Sequence, residues 1–327
     1  MGDKTGIGWT DATWNPVRGC SRVSEGCRNC YAEQQAARIV RMGKGKPTAY
    51  DGLVKLVNGE ERWTGVVRMV PERLADPLRW RAPRRVFVNS MSDLFHPSLT
   101  NDQISAVFGV MAAAPQHTFQ VLTKRAQRMR EWFDWAEKQG DEQDLMRLGR
   151  SALLTCAWEV CAGEVWGDAD DPFDGDLPTA DRFGTTWPLP NVWLGVSVEN
   201  QEAADERIPD LLRTPAAVRF LSCEPLLAAV DLRHVQHNRE FEVDALTGDH
   251  GVHRPLAGRG PRIDWVIDGC ESGKGARPAE VAWFEAIAEQ CRAAGVPLFV
   301  KQMMVDGVLR TDPAYFPPRL RHQEFPR

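Results

Sequence analysis

Residues 118–140 read TFQVLTKRAQRMREWFDWAEKQG. The first six positions are rich in apolar and β-branched residues, which predicts a strand. A helical pattern follows and stops at Gly140, a residue suited to the position just past a helix. Together they make one β/α unit, with Thr123 and Lys124 at its turn.

The same alternation extends to both sides. RVFVNS (85–90), VWLGVSV (192–198), VRFLSCE (218–224), DWVIDG (264–269) and PLFVKQ (297–302) read as further strands. They are nearly continuous in apolar residues, as strands covered on both faces are. NDQISAVFGVMAAA follows Thr100, a good N-cap. PAEVAWFEAIAEQCRAAG runs from Pro278 to Gly295, with proline near its start and glycine past its end. GIGWTDATWN (6–15) supplies a first strand, YAEQQAARIVRM (31–42) a first helix, and WTGVVRMV (63–70) another strand or a hairpin arm. Such alternation implies an α/β fold with parallel strands and right-handed crossovers. Six or seven strands suit a partial or full parallel (β/α) barrel better than a small open sheet. The expectation is one domain over 1–327, carrying two polar, turn-rich surface insertions at about 139–190 and 233–262.

The 327 residues are 43% hydrophobic and 26% charged, and the formal net charge is −5. No global basic field therefore advertises nucleic acid, and any such surface is local. No apolar run reaches membrane-spanning length: VFGVMAAAP soon meets Pro115 and polar residues. The first residues, MGDKTGIGW, lack a signal-peptide core. The expected location is the cytoplasm, with no membrane partner.

In that reducing setting a cluster of thiols points to a metal or a catalytic site rather than a disulfide framework. TWNPVRGCSRVSEGCRNCYAE (13–33) holds Cys20, Cys27 and Cys30 within eleven positions. Gly19 and Gly26 each precede a cysteine and let the backbone turn closely. Soft thiolates at this spacing suit zinc or an iron–sulfur cluster. Structural zinc wants a fourth ligand, for which Cys156, Cys161 or a histidine is available. A [4Fe–4S] cluster held by three cysteines keeps one iron open. The residues alone leave both alternatives standing. Cys223, Cys270 and Cys291 are dispersed and read first as small buried hydrophobes.

Polar residues gather just after the predicted strands: Asn89, Ser90 and Asp93; Thr123 and Lys124; Ser197, Glu199 and Asn200; Ser222 and Glu224; Asp268, Glu271 and Ser272; Lys301 and Gln302. In a parallel barrel these groups converge on one mouth, where barrel enzymes place their chemistry.

The cysteine loop resembles that of radical SAM (S-adenosylmethionine) enzymes, particularly the branch around spore photoproduct lyase. NPVRGC leads into the cysteines and CYAE opens a helix. Two features depart from that pattern. Six residues separate Cys20 from Cys27, where three are usual, and Asn29 stands where an aromatic is common. VNSMSDLFHP (88–97) and FQVLTKRAQRM (119–129) resemble later segments of that branch. The chain is more similar still to a phage-associated family of unknown function with a three-cysteine motif. WLGVSVEN, FLSCEPL, IDWVIDGCESGKGARP and AAGVPLFVKQ carry that likeness, with Cys270 where glycine is often found.

The resemblance implies a barrel of the radical SAM type holding a [4Fe–4S] cluster on Cys20, Cys27 and Cys30. SAM would chelate the open iron and be cleaved reductively to a 5′-deoxyadenosyl radical. It implies an external electron donor, a nucleic-acid substrate to modify or repair, and a three-Cys-motif partner protein. Ser90, Asp93, Lys124, Ser197, Glu199 and Glu224 become candidates for contacts to SAM or substrate. Cys223, Cys270 and Lys301 become candidates for catalysis, the thiols as hydrogen donors to a substrate radical. Arg18 with Arg22 or Arg28 would offset the charge of the thiolate cluster. The basic runs RWRAPRR (79–85), with Trp80, and KRAQRMR (124–130) are candidate phosphate contacts. His234, His237, His250 and His253 form H-x2-H twice and could hold a second metal. The competing readings are a binding module with structural zinc and an iron–sulfur protein without SAM chemistry that serves its partner.

Overall fold

The computed structural model describes residues 5–138, 187–236, 242–249, 260–273 and 275–326. An eight-stranded sheet runs in chain order: β1 (Ala12–Trp14), β2 (Arg85–Val88), β3 (Thr118–Thr123), β4 (Val192–Ser197), β5 (Val218–Cys223), β6 (Trp265–Gly269), β7 (Leu298–Val305) and β8 (Val308–Arg310). The first seven are parallel to their neighbours, and β8 folds back antiparallel on β7. The described helices are α1 (Tyr31–Met42), α2 (Asn101–Ala113), α3 (Ala126–Glu137), α4 (Gln201–Arg213) and α5 (Val281–Ala294). Among them no helix is long and apolar enough to cross a membrane.

Both faces of the strands are buried, which accounts for their apolar continuity. Val266 packs into the main core with Phe108, Trp132, Phe284 and Ile287 of the helices. Its neighbours Trp265 and Ile267 point the other way, into a cluster with Trp9, Phe87, Phe220 and Phe299. That second cluster requires a curved sheet. The ring of Trp9 lies 4.7 Å from Phe87 on β2 and 6.3 Å from Trp265 on β6. Those strands are four steps apart, or about 19 Å in a flat sheet. The C-terminal tail closes the strand-start end of this curve: Phe325 stacks near Trp265 and Phe299 while the Arg85 guanidinium sits 4.1 Å over its ring.

The expected helix boundaries hold closely. Thr100 caps α2 in a reciprocal box with Gln103, and Gly295 ends α5 in the left-handed region. Two expectations need correction, and one helix, α4, was not anticipated. GIGWTDATWN gives only the short β1, because Trp9 leaves the sheet to fill the space inside the curve. Residues 233–262 are not merely a surface insertion. Within them Val235–Gln236 pairs with Glu242–Val243, and Val235, Val243, Ala245 and Leu246 are buried in the main core. Helix α4 carries Pro209 in its interior, which masks its pattern in the sequence. Most of the expected insertion at 139–190, with Cys156 and Cys161, lies outside the described residues, as do His237, His250 and His253. His234 is described, and its Nδ1 lies 2.9 Å from Asp231 Oδ2.

Candidate functional site

The cysteine loop leaves β1 at the C-terminal end of the parallel strands and runs into α1. Val17–Arg18 pairs with Arg68–Met69 and ties the loop's start to the 63–70 arm. Gly19 is required there: its φ is +89°, and a Cβ would lie 2.1 Å from the Val66 carbonyl oxygen. A short 3-10 turn, Glu25–Cys27, follows. Cys30 then occupies the N-cap position of α1. All three cysteines are free and half-buried.

Three arginines fasten this loop. Arg22 meets Glu33 on the first turn of α1, Nη2 to Oε2 at 2.5 Å and Nε to Oε1 at 3.0 Å. Glu33 also accepts from the Trp63 N–H at 2.9 Å. Arg277 grips Glu271 through Nη2 and Nε and donates to the Glu25 carbonyl at 2.9 Å. Asn29 donates to the same Glu271 at 2.8 Å and to the Gly275 carbonyl at 3.0 Å. Arg125 pairs with Asp93 at 2.7 Å and donates to both the carbonyl and the hydroxyl of Ser21 at 2.9 Å. Its Nη1 lies 3.8 Å from the sulfur of Cys20. Gly26 presses on Glu199, where a Cβ would stand 2.9 Å from the carboxyl carbon. The six-residue gap is held at Ser21, Arg22, Glu25 and Gly26, and Asn29 serves as a hydrogen-bonding staple.

Beside the loop lies a pocket of about 360 Å³. It is lined by apolar Ile7, Trp9, Phe87 and Leu122, by polar and charged Lys124, Ser197, Ser222, Glu224 and Lys301, and by Asn29, Cys30 and Tyr31 from the cysteine loop and the start of α1. Lys301 forms a hydrogen-bonded ion pair with Glu224. Gln302 reaches Glu224 at 3.4 Å and the Cys270 carbonyl at 2.8 Å. A wider cleft of about 760 Å³ sits at the opposite end of the strands, lined by Val218, Asp264 and Leu298, away from the thiols.

Burial pushes the Cys20 thiol up to about 12; Asp93 adds to the shift and Arg125 opposes it. Burial raises Cys30 as well. Cys20 feels Cys30 electrostatically, and Cys30 feels Cys27, so the three thiols share one neighbourhood. Among the described residues, no three His, Cys, Asp or Glu side chains stand close enough to hold a single metal ion. Burial and the nearby Glu224 carboxylate raise Cys270 to about 11. Burial opposes ionisation of Glu199, but Arg207, at 2.8 Å, and Lys124 outweigh it and the carboxyl stays below its ordinary value.

The predicted residues therefore divide. Lys124, Ser197, Glu224, Cys270 and Lys301 line the pocket. Asp93 instead anchors Arg125, and Glu199 backs the loop on the Arg207 pair. Ser90 bonds Asn15 and offers its carbonyl to the Tyr31 hydroxyl at 2.5 Å. Cys223 faces the helices in the main core, away from the pocket. Arg18 is buried beside the Tyr50 ring and Arg22 is committed to Glu33, so Arg125 is the cation beside a cysteine sulfur. Sequence reasoning passed over Arg125, Glu33 and Arg277 as site residues. Their signals were present in LTKR, CYAE and GARP.

RWRAPRR sits where β2 begins, at the far end, with Arg84 over Trp80 and Arg85 on Asp11. In KRAQRMR, Arg125 serves the loop, Arg128 bonds Asn101, and Arg130 pairs with Asp134 and Asp210.

Residues 4–311 match a family described as a protein of unknown function, DUF5131, and the chain belongs to that family. No curated protein and no solved structure matches it.

Proposed function

We propose that this chain is an iron–sulfur enzyme of the radical SAM type, built on a partial parallel (β/α) barrel. The observation that carries the reading is the loop itself. Three free thiols share one loop at the C-terminal strand ends, Cys30 among them lines the adjoining pocket, and three ion-paired arginines hold the loop's backbone in place. The chemistry of the donor set suits a cluster, three soft thiol sulfurs on one loop, while no three His, Cys, Asp or Glu side chains among the described residues stand close enough to hold a single metal ion. Cys20, Cys27 and Cys30 would hold three irons, leaving the fourth to SAM. Such a cluster would supply the electron for reductive cleavage of SAM.

The chain's own residues supply binding and protection. Glu224, Lys301 and Lys124 give the pocket both signs of charge, which suits a zwitterionic amino-acid moiety. Trp9, Phe87 and Leu122 give a flat group an apolar surface and exclude water from it. Cys270 brings a protonated thiol to the pocket and is the better candidate hydrogen donor; Cys223 has no path to it. The reading requires an external one-electron donor. Nucleic acid as substrate rests on the family resemblance alone.

The test is anaerobic reconstitution with iron, sulfide and 5′-deoxyadenosine quantified. Brown protein that converts SAM under reduction, and a Cys27→Ala protein that does not, support the reading. Colourless protein with stoichiometric zinc, or brown protein that fails to bind SAM, overturns it.

A further inference from the structure

We infer that Arg125 is the positioning residue of this metal centre: it fixes Cys20 and the start of the six-residue gap, and it biases the centre toward its reduced form. The inference rests on the iron–sulfur reading above. Arg125 directs one nitrogen at the Cys20 sulfur, 3.8 Å away, and the other at the carbonyl and hydroxyl of Ser21. The same nitrogen that faces Cys20, Nη1, donates to Asp93 Oδ2 at 2.7 Å, and the two side chains are 9% and 8% exposed. Asp93 is itself fixed, since its carboxylate accepts from the Thr123 hydroxyl at 2.7 Å and the Phe95 N–H at 3.0 Å.

Burying an ion pair is a weak route to stability. This pair spends its hydrogen bonds on a cysteine and the residue next to it. Arg22 and Arg277 also staple the loop, but through carboxylates and a backbone carbonyl. Reduction adds negative charge to the centre, and a neighbouring cation favours the more negative form. Hydrogen bonds to cluster sulfurs tune potential in the same way. Lysine in this place keeps the charge but lacks the planar fork that reaches Asp93, Ser21 and Cys20 together.

The experiment compares reconstituted wild type, Arg125→Gln, Arg125→Lys and Arg22→Gln. It reads iron and sulfide content, midpoint potential by redox titration followed by electron paramagnetic resonance, and iron loss to a chelator. Expected are a more negative potential in Arg125→Gln, a potential near wild type in Arg125→Lys, and iron loss about tenfold faster in both. Arg22→Gln, whose side chain bonds Glu33 rather than a cysteine sulfur, loads less firmly and shifts the potential less than Arg125→Gln. If Arg125→Gln holds no cluster, Arg125→Lys carries the test through its rate of iron loss. Wild-type potential and chelator resistance in both Arg125 variants overturn the inference. Wild type that takes up no iron and sulfide overturns the underlying reading, and this inference with it.

Discussion

Arg22 and Glu33 meet across the cysteine loop, their closest atoms 2.5 Å apart, joining the middle of the six-residue gap to the first turn of α1. The pair fixes Cys30 between two anchored points. Glu33 is 1% exposed, so the contact is made on the protein side rather than in solvent.

Glu33→Ala therefore leaves Arg22 and the Trp63 N–H without their acceptor. The expected loss is about 3 kcal/mol, the scale of a broken buried pair. Denaturant unfolding of the apo protein measures it. A loss below about 0.5 kcal/mol, typical of exposed pairs, would show that the staple is ornamental.

Gly19→Ala is expected to cost more than Gly26→Ala. At Gly19 the new methyl meets a backbone oxygen at 2.1 Å in a left-handed conformation. At Gly26 it meets the Glu199 carboxylate, which can swing at the expense of its Arg207 bonds. Thermal melts of the two variants, with iron uptake on reconstitution, check the order.

Asp268 lies buried on the helix-facing side of β6, paired in register with Cys223, and both its oxygens lack hydrogen-bond partners. Burial, with the Glu224 carboxylate adding to it, holds its carboxyl well above the ordinary range. The folded state thus keeps a proton that the unfolded chain releases above about pH 4. The stability tied to that proton is full below the unfolded value and is lost as pH rises toward the folded one. Asp268→Asn is expected to match wild type near pH 4 and to exceed it by about 1–3 kcal/mol at neutral pH. Denaturant curves across that range test this; a constant difference would refute it.

Cys223→Ala and Cys270→Ala are expected to separate stability from chemistry. Cys223 is fully buried in the main core, so its loss costs about 1 kcal/mol and leaves SAM cleavage unchanged. Cys270 lines the pocket, so on the proposed function its loss is expected to leave deoxyadenosine formation in place and to change the fate of a substrate radical. Melting curves and product analysis on the reconstituted enzyme distinguish them. Equal effects from both would remove Cys270 from the site.

The β/α alternation was legible because strands buried on both faces carry a nearly continuous apolar signal, as VWLGV does over the first five residues of β4. Caps were legible because they act within one turn: Thr100 with Gln103, and Gly295 after α5. The cysteine trio stood out by spacing alone. The buried hydrophobes of residues 233–262 were not legible, since polar and glycine-rich neighbours hide scattered core positions such as Val235 and Leu246.

What the sequence determined by itself is local: where strands and helices begin, and that three thiols share one loop. Tertiary structure alone decided which groups meet across the chain. It set Arg125 against Cys20, 105 positions away, and Arg277 against Glu25, 252 positions away. It also turned Cys223 to the core and Cys270 to the pocket. The reason is geometric: a hydrogen bond forms only where the folded backbone brings donor to acceptor, and the order of residues along the chain does not record that distance.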